Sequence, residues 1–141
     1  MIKKIYIAGP LFNVHEKKYL EDIAKVLEGA NFDCFLPHRD QTGIDPEELK
    51  NNDMSQATKD IIFQTDIEAL EAADLVVALV TGQDIDSGTA SEIGFMYANN
   101  KPVLAITAEE RRYRNLFTEG MFTKTVKNVG DILNAIESFN S

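Results

Sequence analysis

The chain has 141 residues, 44% of them apolar and 26% charged, which suffices for one domain with its own core and argues against general disorder. Its formal net charge of −9 argues against binding of a nucleic-acid polymer, which needs an extended basic surface. The longest apolar run, Leu75 to Val80, is too short to span a bilayer, and no N-terminal stretch has a signal peptide's residue order. We therefore expect a soluble cytoplasmic protein with a single domain over residues 1–141.

Short β-branched runs alternate with longer helical segments in the first half of the chain. Lys3 to Ala8 predicts a strand. Val14 to Gly29 places apolar residues at helical spacing and ends on a glycine, which is a common helix stop. Phe32 to Leu36 predicts a second strand, which Pro37 ends.

The second half continues the same alternation. Gln41 to Asn52 is polar and predicts a loop, in which Pro46 suits the first turn of a helix. Met54 to Ala72 has helical periodicity, and the apolar run Asp74 to Val80 is typical of a central parallel strand covered on both faces. The remaining predicted elements are a helix from about Thr89 to Asn99, a strand at Pro102 to Ile106, a weaker strand near Thr125 to Val126 and a helix from Val129 to Phe139.

Strands and helices in strict alternation predict a parallel sheet joined by right-handed crossovers. We expect a three-layer α/β fold with a flavodoxin-like or Rossmann-like five-stranded parallel sheet and helices on both faces. Such sheets bind ligands beyond the C-terminal ends of their strands. This rule selects four polar loops: Gly9 to Asn13, Pro37 to Gly43, Thr81 to Gly88 and Thr107 to Gly120.

The segment from Asp86 to Phe95 follows the apolar strand and opens a helix. Gly88 would let a ligand approach the backbone closely. We place Glu92 in the first helical turn, where the helix dipole favours an ionised carboxylate that could attack an electron-poor sugar carbon. The same residues have a structural interpretation, because Thr89-x-x-Glu92 is also a capping box in which Glu92 folds back onto the amide of Thr89.

Two further carboxylates and a tyrosine give Glu92 possible partners. Cleavage of a glycosidic bond uses one carboxylate at the sugar carbon and another at the leaving group. Asp66 or Asp86 could be the second carboxylate, and both of them and Gln41 could donate or accept hydrogen bonds at the edge of a leaving base. Asp66 could equally be a solvated helix position. Tyr6 could orient a carboxylate or be a core residue. No cluster has metal-ligand spacing, so we predict no metal.

Four segments of the chain resemble the nucleoside 2-deoxyribosyltransferase family: Lys4 to Asn13 (KIYIAGPLFN), Gln64 to Asp66, Asp86 to Gly94 (DSGTASEIG) and Asn115 to Phe117. The resemblance covers roughly Lys3 to Met121. It implies that Glu92 attacks C1′ of the deoxyribose to form a glycosyl-enzyme ester. Tyr6 would position Glu92, and Asp66 and Asp86 would contact and protonate the base.

The resemblance also implies how substrate is bound. Gly9, Phe12 and Gly88 are expected to bind substrate, and Gln41 to contact the base. Asn115 would reach the sugar's 5′-hydroxyl in a neighbouring subunit, which implies a homo-oligomer. The expected partners are a small-molecule deoxynucleoside and a free nucleobase, with no cofactor.

Two other functions stay open. The loop from Pro10 to Asn13 has no cation, which favours a free nucleoside. However, Arg39, Arg111, Arg112 and Arg114 could grip a phosphate, or be solvated loop charges, so a hydrolase of deoxynucleosides or their 5′-monophosphates remains an alternative. Water exclusion would decide between transfer and hydrolysis. The second alternative is a sensor that binds nucleosides or nucleotides without turnover.

Overall fold

The computed structural model of the chain describes residues 1–50, 53–82, 84–108 and 115–140. Strands and helices alternate along it as follows: β1 (Lys4–Ala8), α1 (Val14–Gly29), β2 (Asp33–Phe35), α2 (Pro37–Asp40), α3 (Pro46–Leu49), α4 (Gln56–Ala72), β3 (Leu75–Leu79), α5 (Ser87–Ala98), β4 (Val103–Ile106), α6 (Leu116–Glu119), β5 (Lys124–Val126) and α7 (Ile132–Asn140). Within these ranges, no helix combines the length and apolar character needed to cross a membrane.

All five strands pair in parallel, which confirms the predicted five-stranded parallel sheet, and their order β2-β1-β3-β4-β5 is the flavodoxin-like one of the two orders expected. Tyr6 lies opposite Val76, and Ala8 opposite Ala78, in the central pair β1 and β3. The strand order reverses between these two strands. Their C-terminal ends therefore border the crevice in which this fold binds ligands.

The alternation of side chains along each strand creates two cores, one on each face of the sheet. Ile5 and Ile7 of β1 belong to the core that α1 and α7 cover. Tyr6 and Ala8 belong to the other core, to which Leu70 of α4 and residues Ile93 and Met96 of α5 contribute. Helices on both faces confirm the three-layer prediction and place the Tyr6 side chain beneath α4 and α5.

Three local features differ from the sequence predictions. The helix predicted from about Thr89 begins at Ser87 instead. The helices α2 and α6, of four residues each, lie where only strand ends or loops were predicted. Such short helices have no measurable periodicity, so no hydrophobic pattern indicates them. The prediction for Pro46 is confirmed, because it opens α3 behind Asp45, whose side chain accepts a hydrogen bond from the Glu47 amide at 3.0 Å.

Candidate active site

A cavity of about 330 Å³ lies between α4 and α5 on the Tyr6 face of the sheet. It brings together three residues that the sequence singled out, Asp66, Gly88 and Glu92. The other lining residues are Phe63, Ile67, Leu70, Ser91 and Phe95. The carboxylates of Asp66 and Glu92 thus belong to opposite helices that share one cavity, while the remaining wall is largely apolar.

Tyr6 reaches this site from beneath. Its side chain is fully buried, and its ring stacks on Phe35 with the centroids 5.4 Å apart. The hydroxyl donates a hydrogen bond to Oε2 of Glu92. Burial and the neighbouring Glu92 carboxylate raise the pKa of Tyr6 far above its usual value, so the hydroxyl stays protonated and remains a donor. The strand therefore fixes one oxygen of Glu92.

The helix dipole does not determine the ionisation of Glu92, contrary to the prediction from the sequence. Because α5 begins at Ser87, Glu92 lies in the second turn, beyond the part of the helix where the dipole acts strongly. Burial raises the pKa of Glu92 to about 7, the hydrogen bond from Tyr6 opposes this rise, and the charges of Asp66 and Asp86 add to it. Near neutral pH the carboxyl group therefore exchanges readily between its two protonation states.

The capping-box interpretation of Thr89 and Glu92 is wrong. The N-cap of α5 is Asp86, whose Oδ2 accepts from the Thr89 amide at 3.1 Å and whose Oδ1 accepts from the Thr89 hydroxyl at 2.7 Å. Glu92 is bound to Tyr6 and lines the cavity instead of folding back. Asp86 is absent from the cavity lining, and both of its oxygens hold the start of α5, although its charge acts on Glu92.

Asp66 is a half-buried member of the cavity wall rather than a solvated helix position. Its Oδ1 accepts a hydrogen bond from Nε2 of Gln41 at 2.7 Å. Burial raises the pKa of Asp66, and the bond from Gln41 opposes this in part. With its pKa raised, Asp66 keeps its proton to a higher pH than an exposed aspartate does, and a protonated carboxyl group can deliver that proton to a group bound in the cavity.

Gln41 presents an unpaired acceptor beside Asp66. Its Nε2 faces Oδ1 of Asp66 and, at 3.5 Å, the carbonyl oxygen of Ile62. A carbonyl oxygen can only accept, so the amide nitrogen must occupy this side and Oε1 the other. Oε1 is buried and has no hydrogen-bond partner among the residues that the structure describes. An unpaired buried acceptor costs about 1–3 kcal/mol, which a donor on a ligand could recover.

Three other predicted residues, like Gln41, are not among the residues that line the cavity within one chain. A Cβ at Gly9 would lie 2.6 Å from Cδ2 of Leu20, so close packing is a sufficient reason for glycine there. Phe12 is 80% exposed. Asn115 caps α6, with its Oδ1 accepting from the Thr118 amide at 3.1 Å.

Arg39, which the sequence analysis considered for a phosphate, has partners of its own. It pairs with Glu28 at 2.9 Å and with Asp40 at 2.8 Å. Arg111, Arg112 and Arg114 lie outside the described residues. Within the described part of the chain, no group of three or more His, Cys, Asp or Glu residues is placed to hold a metal ion.

The aromatic part of the cavity wall was not predicted from the sequence. Phe63 precedes Asp66 by three residues, and Phe95 follows Glu92 by three. Residues three apart share one helix face, so the spacing from the two predicted carboxylates could have indicated both.

The family model described as nucleoside 2-deoxyribosyltransferase matches residues 5–136. The chain belongs to this family. Members of the nucleoside 2-deoxyribosyltransferase family act on nucleosides and nucleobases as small-molecule substrates. The match begins within β1 and ends within α7, so it includes every residue of the cavity.

Three solved structures resemble this family member over nearly its whole length. A conserved protein from Enterococcus faecalis is 29% identical, with a TM-score of 0.80, and the match covers 98% of this chain and 99% of that one. A 2-deoxyribosyltransferase from Bacillus psychrosaccharolyticus has a TM-score of 0.76 at 23% identity, covering 92% and 89%. A CMP N-glycosidase from Clostridium botulinum has a TM-score of 0.62 at 20% identity, covering 96% and 99%. The same fold thus occurs in a transferase and in an N-glycosidase.

Proposed function

We propose that the chain, as one domain over residues 1–141, moves the 2-deoxyribosyl group of a deoxynucleoside from one nucleobase to another in nucleoside salvage. The observation that supports this most directly is the Glu92 carboxylate. It lines a cavity, is held by the buried Tyr6 hydroxyl and is accompanied by Asp66 on the facing helix. This arrangement offers a nucleophile and an acid to one bound substrate.

In the first step, an oxygen of Glu92 attacks C1′ while the bond from C1′ to the base nitrogen breaks. The bonding electrons leave with the base, and Asp66 supplies the proton that neutralises it. The product is a glycosyl ester on Glu92, formed through an oxocarbenium-like state. Gln41 holds Asp66 through Nε2. It does not line the cavity of this chain, and it remains the predicted contact to the base edge through its unpaired Oε1. Both reacting groups are side chains, so the proposed step uses no cofactor.

In the second step, a nitrogen of the incoming base attacks C1′ from the side that the first base left. The ester bond breaks, the Glu92 carboxylate is regenerated, and Asp66 accepts the proton that the incoming base loses. Two displacements at one carbon retain its configuration. Attack by water in place of the second base would give hydrolysis instead. Hydrolysis is the second candidate function, because the chain shares its fold with an N-glycosidase.

Incubation with deoxyadenosine, with and without free cytosine, is expected to separate these functions. Transfer predicts a new deoxycytidine peak by chromatography only when cytosine is present. Free adenine and deoxyribose alone would identify a hydrolase. Saturable binding of deoxyadenosine without any product would contradict catalysis and favour the sensor function.

Asn115 is proposed to act in the site of a neighbouring subunit of a homo-oligomer. It does not line the cavity of its own chain. The two residues that follow it, Leu116 and Phe117, are 69% and 79% exposed. Neighbouring apolar side chains in water are typical of a surface that another molecule covers. Gly9 and Phe12 remain predicted substrate contacts on the same basis of family resemblance.

The pH dependence of the reaction is expected to depend on Tyr6. Glu92 attacks in its ionised form, so kcat/KM should rise as the pH passes through about 7. The hydrogen bond from Tyr6 lowers the pKa of Glu92, so Tyr6→Phe should move this rise to higher pH. Removing a hydrogen bond to a charged group should also cost about 10- to 100-fold in kcat/KM at neutral pH.

The matched control for this experiment is Tyr97→Phe, because Tyr97 is an exposed tyrosine on the same helix as Glu92. The ring of Tyr6 stacks on Phe35 without using its hydroxyl, so phenylalanine should preserve the packing. Equal pH profiles for the wild type and Tyr6→Phe would contradict the role of Tyr6.

A further inference from the structure

The two walls of the cavity differ in chemistry. The wall from α4 consists of Phe63, Asp66, Ile67 and Leu70, and is apolar apart from one carboxyl group. The wall from α5 includes Gly88, Ser91 and Glu92, with Phe95 beyond them. These residues contribute a backbone, a carboxylate and a hydroxyl oxygen, since the Ser91 hydroxyl donates to the carbonyl oxygen of Ser87 at 2.8 Å and can still accept. A ligand with one flat apolar part and one hydroxylated part would match this division.

The helix directions order the lining residues along the cavity. The helix α4 leads into the start of β3, and α5 leads away from its end. Because the sheet is parallel, both helices run antiparallel to the strands and parallel to each other. Phe63 and Gly88 therefore lie toward the C-terminal edge of the sheet, where this fold binds ligands. Leu70 and Phe95 lie toward the opposite end.

Phe63 is the most exposed of the apolar residues that line the cavity. It is 65% exposed, whereas Leu70, on the same face of α4, is buried. Apolar surface left in water costs about 25 cal/mol for each Å² compared with burial. A ligand lying flat on the ring would remove this cost.

The spacing of Phe63 and Asp66 fits a nucleobase. The two residues are three positions apart, which places them on one helix face about 4.5 Å apart along the axis. A nucleobase has apolar faces and a polar edge, so it can lie on the ring and turn its edge toward the carboxyl group. The base is also uncharged, so the acidic surroundings do not repel it.

We propose that Phe63 is the platform on which the nucleobase stacks. In this arrangement α4 binds the base, and the side of α5 that carries Gly88, Ser91 and Glu92 faces the sugar. This inference rests on the proposed function and adds a residue to it. Phe63 then sets the affinity for the base, whereas Glu92 and Asp66 carry out the reaction.

Replacement of Phe63 tests the stacking directly. Loss of one stacked base costs about 1–3 kcal/mol, so Phe63→Ala should raise the KM for an acceptor base such as cytosine by about 5- to 150-fold. The rate of base release in a single turnover at saturating deoxyadenosine should change much less. Phe63→Trp should restore the low KM, because it keeps an aromatic face. Full restoration by Phe63→Leu would overturn stacking in favour of simple apolar cover.

Two measurements separate stacking from a subunit contact. Tyr97→Ala removes another exposed aromatic residue, which does not line this cavity, and should leave the KM for the base unchanged. Light scattering reports the oligomeric state of each variant. If Phe63→Ala changes that state but not the KM, Phe63 is a subunit contact and the inference is wrong.

Calorimetric titration of adenine distinguishes failure of this inference from failure of the proposed function. Weaker adenine binding by Phe63→Ala than by the wild type supports the platform, even if no deoxynucleoside is turned over. Turnover with equal adenine affinity in both proteins overturns the platform alone. A wild type that binds no adenine and turns over no deoxynucleoside overturns both.

Discussion

Glu92→Ala is expected to abolish transfer and hydrolysis together, with kcat lower by about 10³- to 10⁶-fold. Loss of the proposed nucleophile would remove the covalent route, and the other carboxyl group that lines the cavity, Asp66, is bonded to Gln41 rather than to Tyr6. Chromatography of the products of deoxyadenosine measures the loss. In the wild type, rapid quenching should reveal a mass increase of one deoxyribosyl group on the peptide that contains Glu92. The variant should show no such increase.

Glu92→Gln is the control for folding, because it keeps the shape and can still accept from Tyr6. The pKa of Glu92 is raised from 4.5 to about 7, so the folded state binds a proton that the unfolded state has lost between these pH values. Stability from this group is present below pH 4.5 and is lost as the pH rises through about 7. At pH 8 the free energy of unfolding of the neutral variant should therefore exceed that of the wild type by up to about 3 kcal/mol. Thermal unfolding should show this as a higher melting temperature for the variant.

Activity and stability, measured together, distinguish a loss of catalysis from a loss of folding. A more stable but inactive Glu92→Gln variant would show that the loss is not one of folding. Wild-type rates in either variant would rule out Glu92 as the nucleophile.

Asp66→Asn is expected to slow the release of an ordinary base by about 10²- to 10⁴-fold, the usual contribution of a general acid. Asparagine keeps the size of the side chain and can still accept from Gln41. A deoxynucleoside whose purine is methylated at N7 already carries a positive charge, so its base leaves without a further proton. The variant should cleave this substrate at close to the wild-type rate, as measured by base release.

Asp60→Asn is the matched control, because Asp60 is an exposed aspartate on α4 that is bonded to Gln56 at 2.8 Å. It should leave both substrates unaffected. An equal loss on both substrates in Asp66→Asn would assign Asp66 to binding instead of proton transfer.

Part of the proposed site could be predicted from the sequence because the fold is regular. The parallel sheet, inferred from strand and helix alternation, brings the ends of its central strands to one edge, and polar residues concentrate there. Glu92 was selected because its segment follows the apolar central strand and opens a helix. Asp66 lies outside the loops at this edge, and was selected as a second carboxylate and through the family resemblance. The cap of α5 could not be predicted, because Asp86 and Thr89 are both good N-cap residues only three positions apart, and residue type does not choose between them.

The electrostatic state of Glu92 could not be read from the sequence. Its position near a helix start predicted a stabilised charge, whereas burial has the larger effect and raises the pKa. Burial depends on which elements cover a residue in three dimensions. The aromatic wall was missed for a different reason, because Phe63 in a helical pattern looks the same whether it faces the core or a cavity.

The contact between Tyr6 and Glu92 joins residues that are 86 positions apart in the chain. Bringing such distant segments together carries a large loop-closure entropy and contributes to a high contact order. No fragment confined to one helix and its neighbouring strand can contain both groups. The return of activity after denaturation would therefore report completion of the central strand pairing, whereas helical circular dichroism could recover earlier.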